Sequence, residues 1–297
     1  MAQRLLGWLV VIAVGLPAPF TRAAEEPVAL VNGEPITAAD ITFERSLRKV
    51  AGSDADVPRA LIVEELISRE LLRQFLKDRR AIPEVEQIDR AKTRFIERLT
   101  AGRPEARAQL EQLGLTDARL ETAVAVSLGW ETHLRRVITE KSLRDYFEAN
   151  RRRFDGSRLK VRQIFLAKGF DGVPPAQTQM RLEQIRQEIN GDGDSFAAAA
   201  LKHSEAPSSA EGGSLGWISP FGDIPSAIAP AVFRLGAGEI SEPLESPLGW
   251  HLVLVEQIEE GELSLEDVRP IVRAELARQL RSQLVAEQRR SAQIERN

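Results

Sequence analysis

The sequence predicts an α+β protein: a helical N-terminal domain, a small domain of strands and helices, and a long terminal helix. Three observations predict it. Apolar residues recur at helical spacing from Ala38 to Arg153. The pattern changes at Leu159 to short strand-like runs broken by glycine and proline. From Leu265 to Glu295 the chain returns to one charged, periodic stretch.

Composition bounds the rest. A chain of 297 residues has room for two modest domains, and 43% hydrophobic with 28% charged residues is an ordinary globular balance. The net charge of −4 argues against nucleic acid as a partner, because counterion release needs a basic face. The one basic run, Arg151-Arg152-Arg153, reads as a solvated boundary. With no cysteine, disulfides, thiol chemistry and Cys-based zinc sites are excluded. His133, His203 and His251 show no ligand spacing, so neither metal nor cofactor is expected.

At the start, Arg4 precedes the apolar run Leu5 to Leu16, then Pro17, Pro19 and the small residues Ala23-Ala24. This is the pattern of a secretory signal peptide over 1–24, cleaved near Ala23 or Ala24. It implies a periplasmic location without stable membrane insertion; a retained anchor is the alternative.

In the domain expected over 25–155, Asn32-Gly33 between Val28–Val31 and Pro35-Ile36 signals a hairpin. Thr37 and Asp40 then resemble a capping box opening a helix near Ala38. Gly52 to Pro58 breaks it. Leu61, Ile62, Leu66, Ile67, Leu71, Leu72, Phe75 and Leu76 form a broad stripe on the next helix, and Pro83 is expected to begin another. A short helix ending at Leu113, one capped by Thr116 that runs to about Ile138, and one over Lys141–Arg153 complete the domain. Such helices form either a core or a groove for apolar segments of a partner.

In the domain expected over 159–257, Val161 to Leu166 is a strand, Ala176 to Asn190 a helix and Phe196 to His203 a second helix. A loop, the strand Leu215–Ile218, a helix Ile224–Phe233 and the strands Ile240–Leu244 and His251–Gln257 follow. That order makes a four-stranded antiparallel sheet with flanking helices. The terminal helix, 264–297, is expected to pack on the N-terminal domain.

His203-Ser204-Glu205, Gly212-Gly213-Ser214-Leu215-Gly216-Trp217, Phe233-Arg234-Leu235, Gly238-Glu239-Ile240-Ser241 and Gly249-Trp250-His251 stand together in this second domain. In sequence and spacing they resemble the parvulin (PpiC-like) peptidyl-prolyl cis–trans isomerases. Tyr146-Phe147, Asn150 and Phe154, with the opening Val31-Asn32-Gly33-Glu34-Pro35-Ile36-Thr37, resemble the exported SurA-like foldase and chaperone group. In that group the N-terminal helices and a C-terminal helix form one chaperone body.

The resemblance implies a function: isomerisation of X–Pro bonds in unfolded or extended exported polypeptides, with weak or altered activity. The alternative is a chaperone or assembly factor that binds proline-containing segments without turning them over. It also implies a site. His251 matches the second of two family histidines, Gln163 stands where the first would be, and Ser246 matches the hydroxyl before the last strand. Leu215, Ile224 and Ile228 match the walls of the proline pocket, the last being aromatic in most parvulins. Ala206 falls where cysteine or aspartate is usual. His251 is open to a second reading, as a structural residue of the sheet, and His203 is given a packing role.

Overall fold

The computed structural model describes residues 26–50, 57–101, 117–168, 175–189 and 193–297. The expected leader, the break after Gly52, the short helix ending at Leu113, the Thr116 cap and the turn at 190–192 lie outside them. The chain divides into two compact units, Met1–Leu128 with Glu287–Asn297, and Gly129–Ala286.

In the first unit, β1 (Ala29–Val31) and β2 (Glu34–Ile36) form the expected hairpin. Asn32 and Gly33 both adopt positive φ, as a two-residue turn matched to the strand twist requires. Helix α1 (Ala38–Val50) opens on the Thr37–Asp40 box: Thr37 N–H donates to Asp40 Oδ2 at 2.8 Å. Helix α2 (Arg59–Asp78) buries Ile62, Leu66, Ile67, Leu71, Leu72 and Leu76, whereas Leu61, at the edge of the stripe, is 58% exposed. Helix α3 (Val85–Thr100) starts two residues after Pro83, with Glu84 at its N-cap. Helix α4 (Asp117–Val137) enters this unit and leaves it after Leu128. A cavity of about 530 Å³ opens beside Ile36, Phe43, Leu66 and Val126, with Arg69, Arg73 and Arg119 among its walls.

The terminal helix corrects one expectation. It ends at Ser291, and Ile294–Arg296 form a strand antiparallel to β1, in a three-stranded sheet with β1 at its centre. The open edge of β1 presents backbone donors and acceptors that need partners. Asn32 N–H donates to Gln293 O, and Gln293 N–H donates to Asn32 Oδ1, both at 2.8 Å. Glu64 of α2 accepts from Arg289 at 2.7 Å and from Arg296 at 2.8 Å, tying the chain end down.

In the second unit, α5 (Glu140–Ala149) carries a reciprocal Thr139–Ser142 cap. It stops at Asn150 and a 3₁₀ turn, Arg151–Arg153, follows. Arg153 is not solvated, against the sequence reading. It is 5% exposed, ion-paired with Glu275, and its guanidinium lies 5.4 Å from the Phe154 ring and 5.5 Å from that of Phe221. A buried arginine needs such partners, and the helix over Leu265–Ser291 supplies the carboxylate. That helix also packs Leu265, Val268, Val272 and Leu276 against Leu143, Phe147 and Phe154.

The four-stranded antiparallel sheet has the order β4-β3-β6-β5, where β3 is Arg158–Ala167, β4 Ser214–Ile218, β5 Leu244–Glu245 and β6 Gly249–Glu259. Helices α6 (Pro175–Glu188) and α7 (Gly193–His203) cover one face through Leu182, Ile185 and Phe196, packed on Ile164, Leu166, Leu252 and Leu254. On the other face Leu159, Val161, Val253 and Val255 meet Ile218, Ile228, Val232 and Phe233.

Two elements are shorter than their patterns suggest. Only Ala229–Val232 (α8) is α-helical within the expected 224–233 span, which has Pro225 as its second residue and also contains Pro230. Of the expected strand 240–244, Ile240 makes an isolated bridge to Leu254 and only Leu244 reaches β5. Pro243 between them has no N–H to give a ladder.

Candidate active site

β3 and β6 are paired along their length, and the register sets the site. Phe165 lies directly opposite His251, and Gln163 opposite Val253. Side chains alternate across a strand, so Gln163 and Phe165 share a face with His251 and Val253. β5 adds Leu244, also opposite His251.

Three of the residues expected at the site form one hydrogen-bonded chain. Ser246 Oγ is 2.8 Å from His251 Nε2, and His251 Nδ1 is 3.3 Å from Gln163 Oε1. Leu248 N–H donates to Ser246 Oγ at 3.2 Å. The arrangement that gives every hydrogen an acceptor has the Ser246 hydroxyl donating to Nε2, which leaves Nδ1–H to donate to Gln163. Ser246 is itself held by a tight turn in which its N–H donates to Gly249 O at 2.8 Å.

His251 is 3% exposed, and burial pushes its pKa down to about 4. Removing an imidazolium from water is costly, and among the described residues no carboxylate offsets the cost. The ring is therefore neutral at pH 7. It stands between Ser246 and Gln163 as an uncharged hydrogen-bonding group.

The apolar residues expected at the site are also brought together. Ile224 and Ile228 belong to the cluster containing Val253, with Leu215 half-buried against it. They differ in access: Ile224 is 9% and Ile228 2% exposed. Ile228 is thus a core residue, and the aromatic surface usual at its position is absent. Ala206 is buried and adds no polar side chain. Phe221 packs on Phe154 at 6.0 Å, and the Arg153 guanidinium lies against both rings. His203 closes α7 with its pKa lowered by burial, and His133 stacks on Trp130 at 5.4 Å.

Sequence reasoning missed Phe165. Its ring centroid is 4.9 Å from that of His251, tilted by 42°. The signal was present, two residues after Gln163 on the same strand, but it lay inside an apolar run that reads as core. Ser204 and Glu205 hold it from behind: Phe165 N–H donates to Ser204 Oγ at 3.1 Å, and Glu205 N–H donates to Phe165 O at 2.8 Å.

Among the described residues no group of three or more His, Asp or Glu side chains is placed to hold a metal ion. No helix among them is long and apolar enough to cross a membrane.

Residues 172–257 match the Rotamase family, the PPIC-type PPIASE domain. The chain is 37% identical over 145 residues to the chaperone SurA of Cupriavidus pinatubonensis, covering 45% of this chain and 28% of that protein. It is 36% identical over 97 residues to the putative peptidyl-prolyl cis-trans isomerase NifM of Azotobacter vinelandii, covering 32% of this chain and 33% of that one. The chain thus spans about a third or less of these two relatives. The crystal structure of the peptidylprolyl isomerase PrsA from Bacillus anthracis overlays on 77% of this chain and 96% of its own at 17% identity, with a TM-score of 0.42. Residues 172–257 thus match a PPIC-type, or parvulin, peptidyl-prolyl isomerase domain, and part of the chain is similar in sequence to the SurA chaperones.

Proposed function

We propose that this protein is a periplasmic peptidyl-prolyl cis–trans isomerase that assists the folding of exported polypeptides, with slower turnover than a two-histidine parvulin. The observation that carries the reading is the Ser246–His251–Gln163 chain, continuous through Val253 with the apolar cluster of Leu215, Ile224 and Ile228. The SurA and NifM relatives support the same reading. The leader-like pattern around Leu5–Leu16 supports export, and extended proline-containing segments are the substrate class.

Rotation about an X–Pro amide must cross about 18–20 kcal/mol while no bond is made or broken. The protein need only hold the twisted amide better than either planar isomer. An apolar wall fixes the proline ring. As conjugation is lost, the imide nitrogen becomes a better acceptor, and a preorganised donor favours that geometry. With His251 Nδ1–H committed to Gln163 Oε1, the Gln163 amide nitrogen is the donor at the outer end of the chain. Glutamine cannot exchange a proton with His251 as a second imidazole can, which is the reason for slower turnover.

The test is an NMR exchange measurement on Ala-Pro and Phe-Pro peptides with micromolar protein. Wild type accelerates exchange, His251→Ala abolishes the acceleration, and Gln163→His raises it a few-fold. Absence of acceleration by the wild type sinks the isomerase reading.

A second reading, a chaperone that binds clients without turnover, is favoured by one observation: the cavity in the helical unit beside Ile36, Phe43, Leu66 and Val126. On that reading, protection of an unfolded client from aggregation is undiminished by His251→Ala.

A further inference from the structure

The proline ring needs a surface to pack on; of the residues matched to its pocket Leu215 is half-buried and accessible, while Ile224 and Ile228 are buried. Ile228, at the position the resemblance makes aromatic, is 2% exposed. Phe165 is different. It is only half-buried, stands directly opposite His251, and its ring reaches the imidazole at 4.9 Å. Its backbone N–H is tied to Ser204 and its C=O to Glu205, so the ring is presented from an anchored strand.

Room for the ring is built in. A Cβ added to Gly249 would lie 2.8 Å from Phe165 Cε2 and 2.2 Å from Leu166 O, so the ring occupies space that a bare backbone leaves. Leu244, half-buried and also opposite His251, completes a row of Phe165, His251 and Leu244 across three strands. Among the described residues of this unit, the exposed aromatics are engaged elsewhere: Trp217 under Arg158, and Phe221 on Phe154 and Arg153.

We propose that Phe165 is the aromatic wall of this site, its face receiving the proline ring of the X–Pro ligand in place of the side chain at position 228. The inference rests on the isomerase reading above. The proline carbons beside the imide nitrogen carry electron-poor hydrogens, which favour the negative face of an aromatic ring. The face presented by Phe165 therefore selects proline over an acyclic residue.

Two measurements on the full chain test it. In calorimetric titration with Ala-Ala-Pro-Ala, Phe165→Leu weakens binding by about three- to tenfold, while Phe165→Tyr stays within about twofold of wild type. In wild type, needing no variant to fold, the bound peptide shows NOEs from its proline ring protons to the Phe165 ring. Unchanged affinity in Phe165→Leu, or proline NOEs that avoid Phe165, overturns this inference while leaving the isomerase reading standing. Failure of the wild type to prefer Ala-Ala-Pro-Ala over Ala-Ala-Ala-Ala overturns both.

Discussion

On one face of the β3–β6 pair, Ile164, Leu166, Leu252 and Leu254 meet Leu182, Ile185 and Phe196 of the covering helices. One residue along the same strands, Gln163, Phe165 and His251 look the other way, toward β5 and the Ser246 turn. Both faces bury their central groups, yet they are chemically unlike. The helix-covered face is built from a cluster of buried apolar side chains, so it holds the domain together. The opposite face is apolar only at one end, where Val161, Val253 and Val255 sit among Ile218 and Val232. At its other end it tolerates a buried histidine because both ring nitrogens are hydrogen-bonded. The comparison teaches that a two-residue period can place a stability function and the proposed binding function on one ribbon.

The largest expected effect breaks the first face. Leu252 is fully buried, and Leu252→Ala should destabilise the second unit by about 2–5 kcal/mol. Urea unfolding followed by tryptophan fluorescence checks this, since Trp130, Trp217 and Trp250 all lie in that unit. The peptide affinity of the folded fraction should not change. A loss of affinity with no loss of stability would show that the two faces are not divided in this way.

A second effect belongs to the histidine face. His251 titrates at about 4 when folded, against 6.5 for a free histidine. Between these values the unfolded chain binds the extra proton, so folding is favoured fully above pH 6.5 and progressively less as pH falls to 4. The lost contribution is up to about 3 kcal/mol. Urea midpoints at pH 7 and pH 4.5 should therefore converge more in His251→Ala than in wild type. Equal pH dependence in the two proteins would mean that His251 is not held neutral by burial.

Much of this architecture was legible in the sequence for local reasons. Asn32-Gly33 codes its own turn, α2 declares itself by its period, and the β3 and β6 runs are long enough to read. The three residues of the hydrogen-bonded chain were legible only through resemblance, since 88 residues separate Gln163 from His251. What was not legible depends on distant partners. Ile294–Arg296 carry no periodicity and become a strand only because β1 offers an open edge. Arg153 hides in a charged run, and its burial follows from Glu275, 122 residues away. Phe165 resembles any core aromatic until the register sets it against His251.

The division between the faces has one direct test, an amide chemical-shift map of the full chain titrated with Ala-Ala-Pro-Ala. The predicted result is a continuous patch of perturbed amides at Gln163, Phe165, Leu215 and Ser246 to His251, with α6 and α7 unmoved. Perturbations confined to α6 and α7, or to residues 26–128 of the helical unit, would contradict the assignment of ligand binding to the His251 face.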